Sequence, residues 1–139
     1  MTAARPGPPP PSDPEQGIWQ GRSVARRFVS PDGLTVLVGR SAADYDLLTF
    51  ELGEPRDVWL HVAAESGSHV LIRNPDGLER LPRDTLRFAA ALAARYSKAK
   101  HASRVAVHVA TRADVSKRRG SPPGEVALRR FSTVHASPA

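Results

Sequence analysis

The sequence has no cysteine, which rules out disulfides, thiol chemistry and cysteine-ligated zinc together. It has no run near the roughly 18 apolar residues that a membrane-spanning helix needs. Its N-terminus lacks a basic region followed by an apolar stretch, so no secretory leader is expected. The expected compartment is the cytoplasm, without a membrane partner. Several reactive signatures are missing as well. There is no Gly-Lys-Ser/Thr phosphate loop and no Gly-x-Gly-x-x-Gly. There is no Gly-x-Ser-x-Gly elbow and no His-Glu-x-x-His metal pair. The chain reads as non-catalytic, with no cofactor.

What it has in quantity is basic charge, gathered in one place. The net charge is +6. Residues 18–94 hold nine Arg against ten acids, whereas residues 95–130 hold ten Lys or Arg against only Asp114 and Glu125. A concentrated patch attracts phosphate better than the same charge spread evenly. The plainer alternatives are a solvated basic face or an adaptor surface for an acidic protein partner.

At 139 residues there is room for one core and not comfortably for two. Residues 1–17 hold six of the thirteen prolines and no apolar period, which predicts a disordered tail of polyproline character ahead of one domain over 18–139. Arg26–Val29 and Leu34–Gly39 read as strands joined by Ser30-Pro31-Asp32-Gly33, a tight hairpin signal. Ser41 then reads as a helix N-cap with Asp44 at the reach-back position of a capping box, and helical spacing runs through Tyr45, Leu48 and Leu52. Two further strands, 57–62 and 69–73, flank Glu65-Ser66-Gly67-Ser68. Asn74-Pro75-Asp76-Gly77 closes this unit.

Pro82-Arg83-Asp84 opens the clearest helix, with Asp84 able to cap it and a small-residue face at Ala89, Ala90 and Ala93 for close packing on a sheet. Val105–Val109, apolar on both faces, reads as a central strand, and Val126–Leu128 and Phe131–Val134 as the last strands. The fold class is α+β: a single domain, mostly antiparallel β-sheet with two helices packed on it, covering one sheet face.

The histidine strands are the stretch with most chemical content. Alternation puts Asp57, Trp59 and His61 on one face, opposite Val58, Leu60 and Val62, and it sets His69, Leu71 and Arg73 opposite Val70 and Ile72. A metal-dependent or hydrolytic enzyme centred on Asp57, His61 and His69 is one reading, although the sequence signals no third convergent ligand. The other reading makes Trp59 a core indole, with His61 a core or rim histidine hydrogen-bonded to Asp57. Single-stranded bases also stack on such rings. Among the cations, Lys98 and Lys100 follow the long helix, where positive charge complements its dipole. Lys117, Arg118, Arg119 and Gly120 occupy a loop with no comparable structural employment, and Gly120 permits backbone approach to phosphate. With Arg104 they form the expected patch.

Taken in order, Asp32-Gly33, Val38-Gly39-Arg40, Asp57-x-Trp59-x-His61 with Gly67-Ser68-His69, Ala93-x-x-Tyr96-Ser97-Lys98-Ala99-Lys100 and Val115–Gly124 resemble the RNA-binding domain of the NFACT family. That family comprises the ribosome-associated quality-control proteins and includes fibronectin-binding-protein-A-like bacterial members. The resemblance spans roughly residues 22 to 135. It implies a stand-alone RNA-binding module for tRNA or rRNA, in ribosome quality control or tRNA handling. It also implies roles at or beside the binding face for His61 and His69, with Asp57 and Trp59 as structural motif residues. One departure is Tyr45-Asp46 where the family has Asn-Asp, which leaves Asp46 as the matched residue.

Overall fold

The computed structural model describes residues 7–138. Its centre is a six-stranded, wholly antiparallel sheet. In chain order the strands are β3 (Ala25–Val29), β4 (Thr35–Gly39), β5 (Val58–Val62), β6 (Val70–Ile72), β7 (Val105–Thr111) and β10 (Ser132–Ala136). They lie side by side as β10-β7-β5-β6-β4-β3. Two short ribbons, β1 (Ile18–Trp19) with β2 (Arg22–Ser23) and β8 (Val115–Ser116) with β9 (Ala127–Leu128), sit outside it. β7, expected at the centre, lies inside the sheet between β5 and the edge strand β10, while β5 and β6 hold the middle.

The expected turns form for the expected reasons. Gly33 at φ +83° closes the β3–β4 hairpin, a conformation glycine adopts without steric cost. The hairpin is then tied to the long helix α2 (Arg83–Arg95): the Thr85 hydroxyl donates to Asp32 at 2.8 Å and lies 2.7 Å from Ser30 Oγ. Asn74, whose side chain bridges Arg56 O and Leu78 O, organises the next turn.

Strand alternation divides the interior in two. Leu60, Val62, Val70 and Ile72 pack against the Ala89, Ala90 and Ala93 face of α2. The alternate residues Leu37, Trp59, Leu71 and Ala110 pack instead with Leu48 and Leu52. The helices therefore lie on opposite faces of the sheet, not on one. Both faces of the middle strands are apolar and need a cover, so burial decides against the one-sided arrangement.

Helix starts differ from expectation too. Ser41 precedes α1 (Ala42–Asp46), but its hydroxyl donates to the Asp44 carboxylate at 2.8 Å and caps no backbone amide. Asp44 pairs with Arg22 at 2.6 Å rather than reaching back. Pro82 takes the cap position of α2, leaving Asp84 inside the first turn, where an acid still suits the helix dipole. The segment Leu47–Leu52 continues α1 as a π-helix. Its wider turn, with Gly53 N–H bonded to Leu48 O at 2.9 Å, keeps Leu48, Thr49 and Leu52 all buried.

The expected tail touches the domain before residue 18: Ser12 Oγ accepts from Gln20 N at 2.7 Å, Asp13 bridges to Ile18, and Glu15 pairs with Arg73 at 3.1 Å. Residues 1–6, part of the expected tail, lie outside the described residues.

Candidate nucleic-acid interface

Asp57 is 1% exposed and its carboxylate is fully employed. It accepts from Asn74 N at 2.9 Å, from Glu54 N at 2.8 Å and from Arg73 Nη1. It therefore pins two turns and neutralises a buried guanidinium, and it makes no hydrogen bond to His61. The expected Asp57–His61 contact fails because the strand delivers Asp57 to the β6 end of the sheet, where Arg73 waits. Trp59 is buried at 2% exposure, in line with the core reading. His61 stacks on it, with ring centroids 5.8 Å apart and planes 10° apart.

His69 is wholly buried. Nε2 lies 2.8 Å from the Gly124 carbonyl and Nδ1 lies 2.8 Å from Thr49 Oγ1. A carbonyl can only accept, so Nε2 carries the proton, and the Thr49 hydroxyl must donate to Nδ1. Burial pushes the His69 pKa down to about 4, which keeps the ring in this neutral form. Burial also lowers that of His61. The π-helical turn serves this site by bringing Thr49 to the imidazole.

With both nitrogens occupied, His69 has none left for a metal, and Asp57 is held elsewhere. The enzyme reading required all three to converge. His61 and His69 lie together, ring centroids 5.9 Å apart, but the Asp57 carboxylate is held by Arg73, Glu54 N and Asn74 N and does not join them. Among the described residues no group of three or more His, Cys, Asp or Glu side chains could hold a metal ion.

What His69 does hold is the basic loop. The Asp46 carboxylate accepts from Gly124 N at 3.2 Å and pairs with Lys117 Nζ at 3.1 Å. That ammonium also donates to the carbonyls of Pro122 and Glu125. Lys117 is thus a staple with structural employment, contrary to its expected place among three free loop cations. Arg118, Arg119 and Gly120 are exposed. Gly120 at φ +80° supplies the tip of a turn closed by Ser121 N–H to Arg118 O. Tyr45 stacks on His69 at 5.1 Å. A Cβ on Gly39 would meet its ring at 2.5 Å and one on Gly124 at 3.2 Å, so these glycines make its seat.

The second basic group arrives by a different route. Gly67 bridges to Ser97, Ser68 N–H bonds Tyr96 O, and Lys98 N–H bonds Ser66 O. A Cβ at Gly67 would sit 2.8 Å from Ser97 Cβ. The Gly-Ser-His element thereby zips the β5–β6 loop to the chain leaving α2 and sets Lys98 and Lys100 beside it. Ser97 terminates the helix, donating to Ala94 O and accepting from Ala99 N.

A continuous groove joins these parts. One end is a cavity of about 220 Å³ walled by Trp59, His61, His69, His108 and Gly124. A middle section of about 470 Å³ shares His61, Gly124 and Glu125 with it and adds Glu65 and the two loop prolines. The far end, about 690 Å³, shares Tyr45, Ser66 and Gly67 and is lined by Arg95, Lys98 and Lys100. Arg104 is exposed but lies outside these walls. Sequence reasoning missed His108, Phe131, Arg95 and Glu125. The alternation within 105–109 does put His108 on one face, but only the pairing His61↔His108 shows which neighbour it meets.

The groove residues fall within a family match. Residues 25–130 match the model of the NFACT protein RNA binding domain. The protein named Rqc2 homolog RqcH from Bacillus subtilis (strain 168) is 36% identical over 115 residues, which is 83% of this chain and 20% of that protein. Its namesake from Streptococcus suis (strain 05ZYH33) is 35% identical over 119 residues, 84% of this chain and 21% of that protein. The structure of the C-terminal part of the fibronectin/fibrinogen-binding protein from Streptococcus suis superposes with a TM-score of 0.79 at 31% identity, covering 85% of this chain and 47% of that one. The chain spans about a fifth of the length of these curated relatives. Among the described residues no helix is long and apolar enough to cross a membrane.

Proposed function

The chain belongs to the NFACT RNA-binding domain family, and from that premise we propose that it holds structured RNA of the translation apparatus, tRNA or rRNA, by phosphate contacts along this groove. The relatives' names, Rqc2 homolog RqcH and ribosome quality control complex subunit NEMF homolog, support a place in ribosome quality control, in the cytoplasm, as part of this reading. The observation that carries the reading is the placement of the cations. Lys98, Lys100 and Arg95 line one end of the groove, and Arg118 and Arg119 are exposed on the loop that forms its wall. Such contacts position a phosphate backbone without reading sequence. Arg104 adds to the surrounding field. His61 lines the wall, while His69 acts through Gly124, by holding the loop in place.

Binding of this kind depends steeply on salt, and each phosphate contact removed lowers the log–log slope by roughly 0.7–0.9. A Lys98→Ala, Lys100→Ala, Arg118→Ala, Arg119→Ala variant should fold normally and bind both tRNA and an unrelated stem-loop more weakly. Its slope should fall by about three units. Titration of both RNAs at several salt concentrations measures this. Equal affinity and slope in variant and wild type would remove the groove from the RNA-binding surface.

A further inference from the structure

The middle of the groove has the wrong charge for phosphate. Glu65 and Glu125 both line it, between the Lys98–Lys100 end and the loop bearing Arg118 and Arg119. Among the described residues the Glu125 carboxylate has no cation within ion-pairing distance. Glu125 also lines the small end cavity, whose character is aromatic. His61 lies on Trp59, and directly across the β5–β7 pairing stands His108. His108 in turn packs on Phe131 at 4.5 Å. Phe131 is 52% exposed; it does not line the cavity itself but extends the ring surface of His108 toward solvent.

Three properties of this end converge on one ligand class. Its volume of about 220 Å³ equals roughly seven waters' share of liquid, at about 30 Å³ each, room for one ring system but not for a helix. Its rings are stacking surfaces, and every nucleobase has a face to stack. Its unpaired carboxylate can only accept hydrogen bonds, so it favours a base that carries an exocyclic amino group. In addition, the indole N–H of Trp59, in the cavity wall, is buried without an acceptor among the described residues.

We propose that this cavity receives one unpaired nucleobase, stacked against His61 and His108 with Phe131 extending the stack outward from His108, and that Glu125 selects an amino-bearing base (cytosine, adenine or guanine) over uracil. The proposal rests on the RNA-binding reading and adds to it a site for single-stranded RNA, distinct in chemistry from the phosphate contacts. Uracil offers a single N3–H flanked on both sides by carbonyl oxygens, and a carboxylate repels those oxygens, whereas an exocyclic amino group can be met from its open side. Glu125 also discourages the backbone from settling at this point, so the strand enters base first.

The test uses the full chain with three fluorescent RNAs of equal length: oligocytidine, oligouridine and a blunt duplex. Wild type should bind oligocytidine several-fold more tightly than oligouridine. Phe131→Ala changes an exposed residue, so the fold should be intact by circular dichroism. It should weaken oligocytidine at least about fivefold, the loss of one stacked base, and leave the duplex unchanged. Glu125→Gln should erase the preference for cytosine over uracil, whatever it does to overall affinity. Equal affinity of wild type for the two oligonucleotides overturns selection by Glu125. An unchanged oligocytidine affinity in Phe131→Ala overturns the stacking site while duplex binding keeps the phosphate reading alive. Failure of all three RNAs to bind removes both readings.

Discussion

On β5, Leu60 and Val62 turn toward α2 while Trp59 and His61 turn toward the groove, and on β6 Val70 and Ile72 part from His69 and Leu71 in the same way. The two faces share a backbone and differ in how they are held. The α2 face is closed by an alanine surface with aliphatic side chains between. Dispersion and burial dominate there, with the Thr85 bonds to Asp32 and Ser30 tying the start of α2 to the hairpin. The opposite face has an aliphatic part as well, Leu37, Leu48, Leu52 and Leu71, but adds rings and hydrogen bonds to it. Trp59, His61, His69 and Tyr45 form one aromatic cluster, and Asp57, Asp46 and Thr49 each satisfy a named donor or acceptor. Such a network positions atoms more sharply than an aliphatic core does, and a partly broken one costs more. The difference teaches a division of labour: one face stabilises the sheet, the other fixes the basic loop and the groove.

The largest effect that can break this division comes from Trp59, which belongs to both tasks. Trp59→Ala should lose about 3–5 kcal/mol of stability, read by urea unfolding. Leu60→Ala, its neighbour on the other face, should lose about 2–5 kcal/mol yet keep wild-type RNA affinity under conditions where it is folded. An RNA-binding defect in folded Leu60→Ala would abolish the distinction between the faces. A fully stable Trp59→Ala that has lost RNA would instead make the indole a binding platform and not a core residue.

The next effect belongs to the histidine face alone. The unfolded chain takes up the His69 proton near the ordinary value of 6.5, the folded chain only near 4. Burial is the main cause, with the His61 and Lys117 charges acting in the same direction and the Gly124 carbonyl and Asp46 opposing it. Because the unfolded state binds the proton first, the contribution is complete above about pH 6.5 and is lost as pH falls toward 4. The loss from this residue is on the order of 3 kcal/mol at most. His69→Gln should flatten the decline in urea-unfolding stability between pH 7 and 4.5. Parallel curves for wild type and variant would show that His69 titrates alike in both states.

Much of this arrangement could be read before the fold was seen, and the limit has a physical cause. Alternation within one strand is local, so the sorting of Trp59 and His61 from Leu60 was legible, as were the Asp32-Gly33 hairpin and the alanine stripe of α2. The family motif could be matched as a string of residues, but not the reason for its spacing. Gly67 is glycine because Ser97 sits against it, a contact made only after α2 returns. The side taken by each helix, the pairing of His61 with His108 and the partner of Asp57 all depend on strand order, which no short window contains. Lys117 is the sharpest case: in sequence it is indistinguishable from Arg118 and Arg119.

Its structural difference from them yields the smallest and most discriminating effect. The Lys117 ammonium faces the Asp46 carboxylate at 3.1 Å, both side chains a little over a quarter exposed, and it also serves two loop carbonyls. A partly exposed pair of this kind contributes about 0.2–1 kcal/mol, so Lys117→Ala should unfold at slightly lower urea than wild type. Its charge is already balanced by Asp46, so it has little to offer a phosphate. Arg118 is exposed and makes no ion pair among the described residues. Arg118→Ala should therefore leave stability unchanged and lower the log–log salt slope of tRNA binding by roughly 0.7–0.9. Lys117→Ala should leave that slope where it is, even if affinity drops as the loop loosens. Affinity alone would confuse the two variants; the slope separates a contact with phosphate from a contact that holds the loop. If Lys117→Ala lowers the slope as much as Arg118→Ala does, the ammonium leaves Asp46 when RNA arrives, and the loop is a binding element along its whole length.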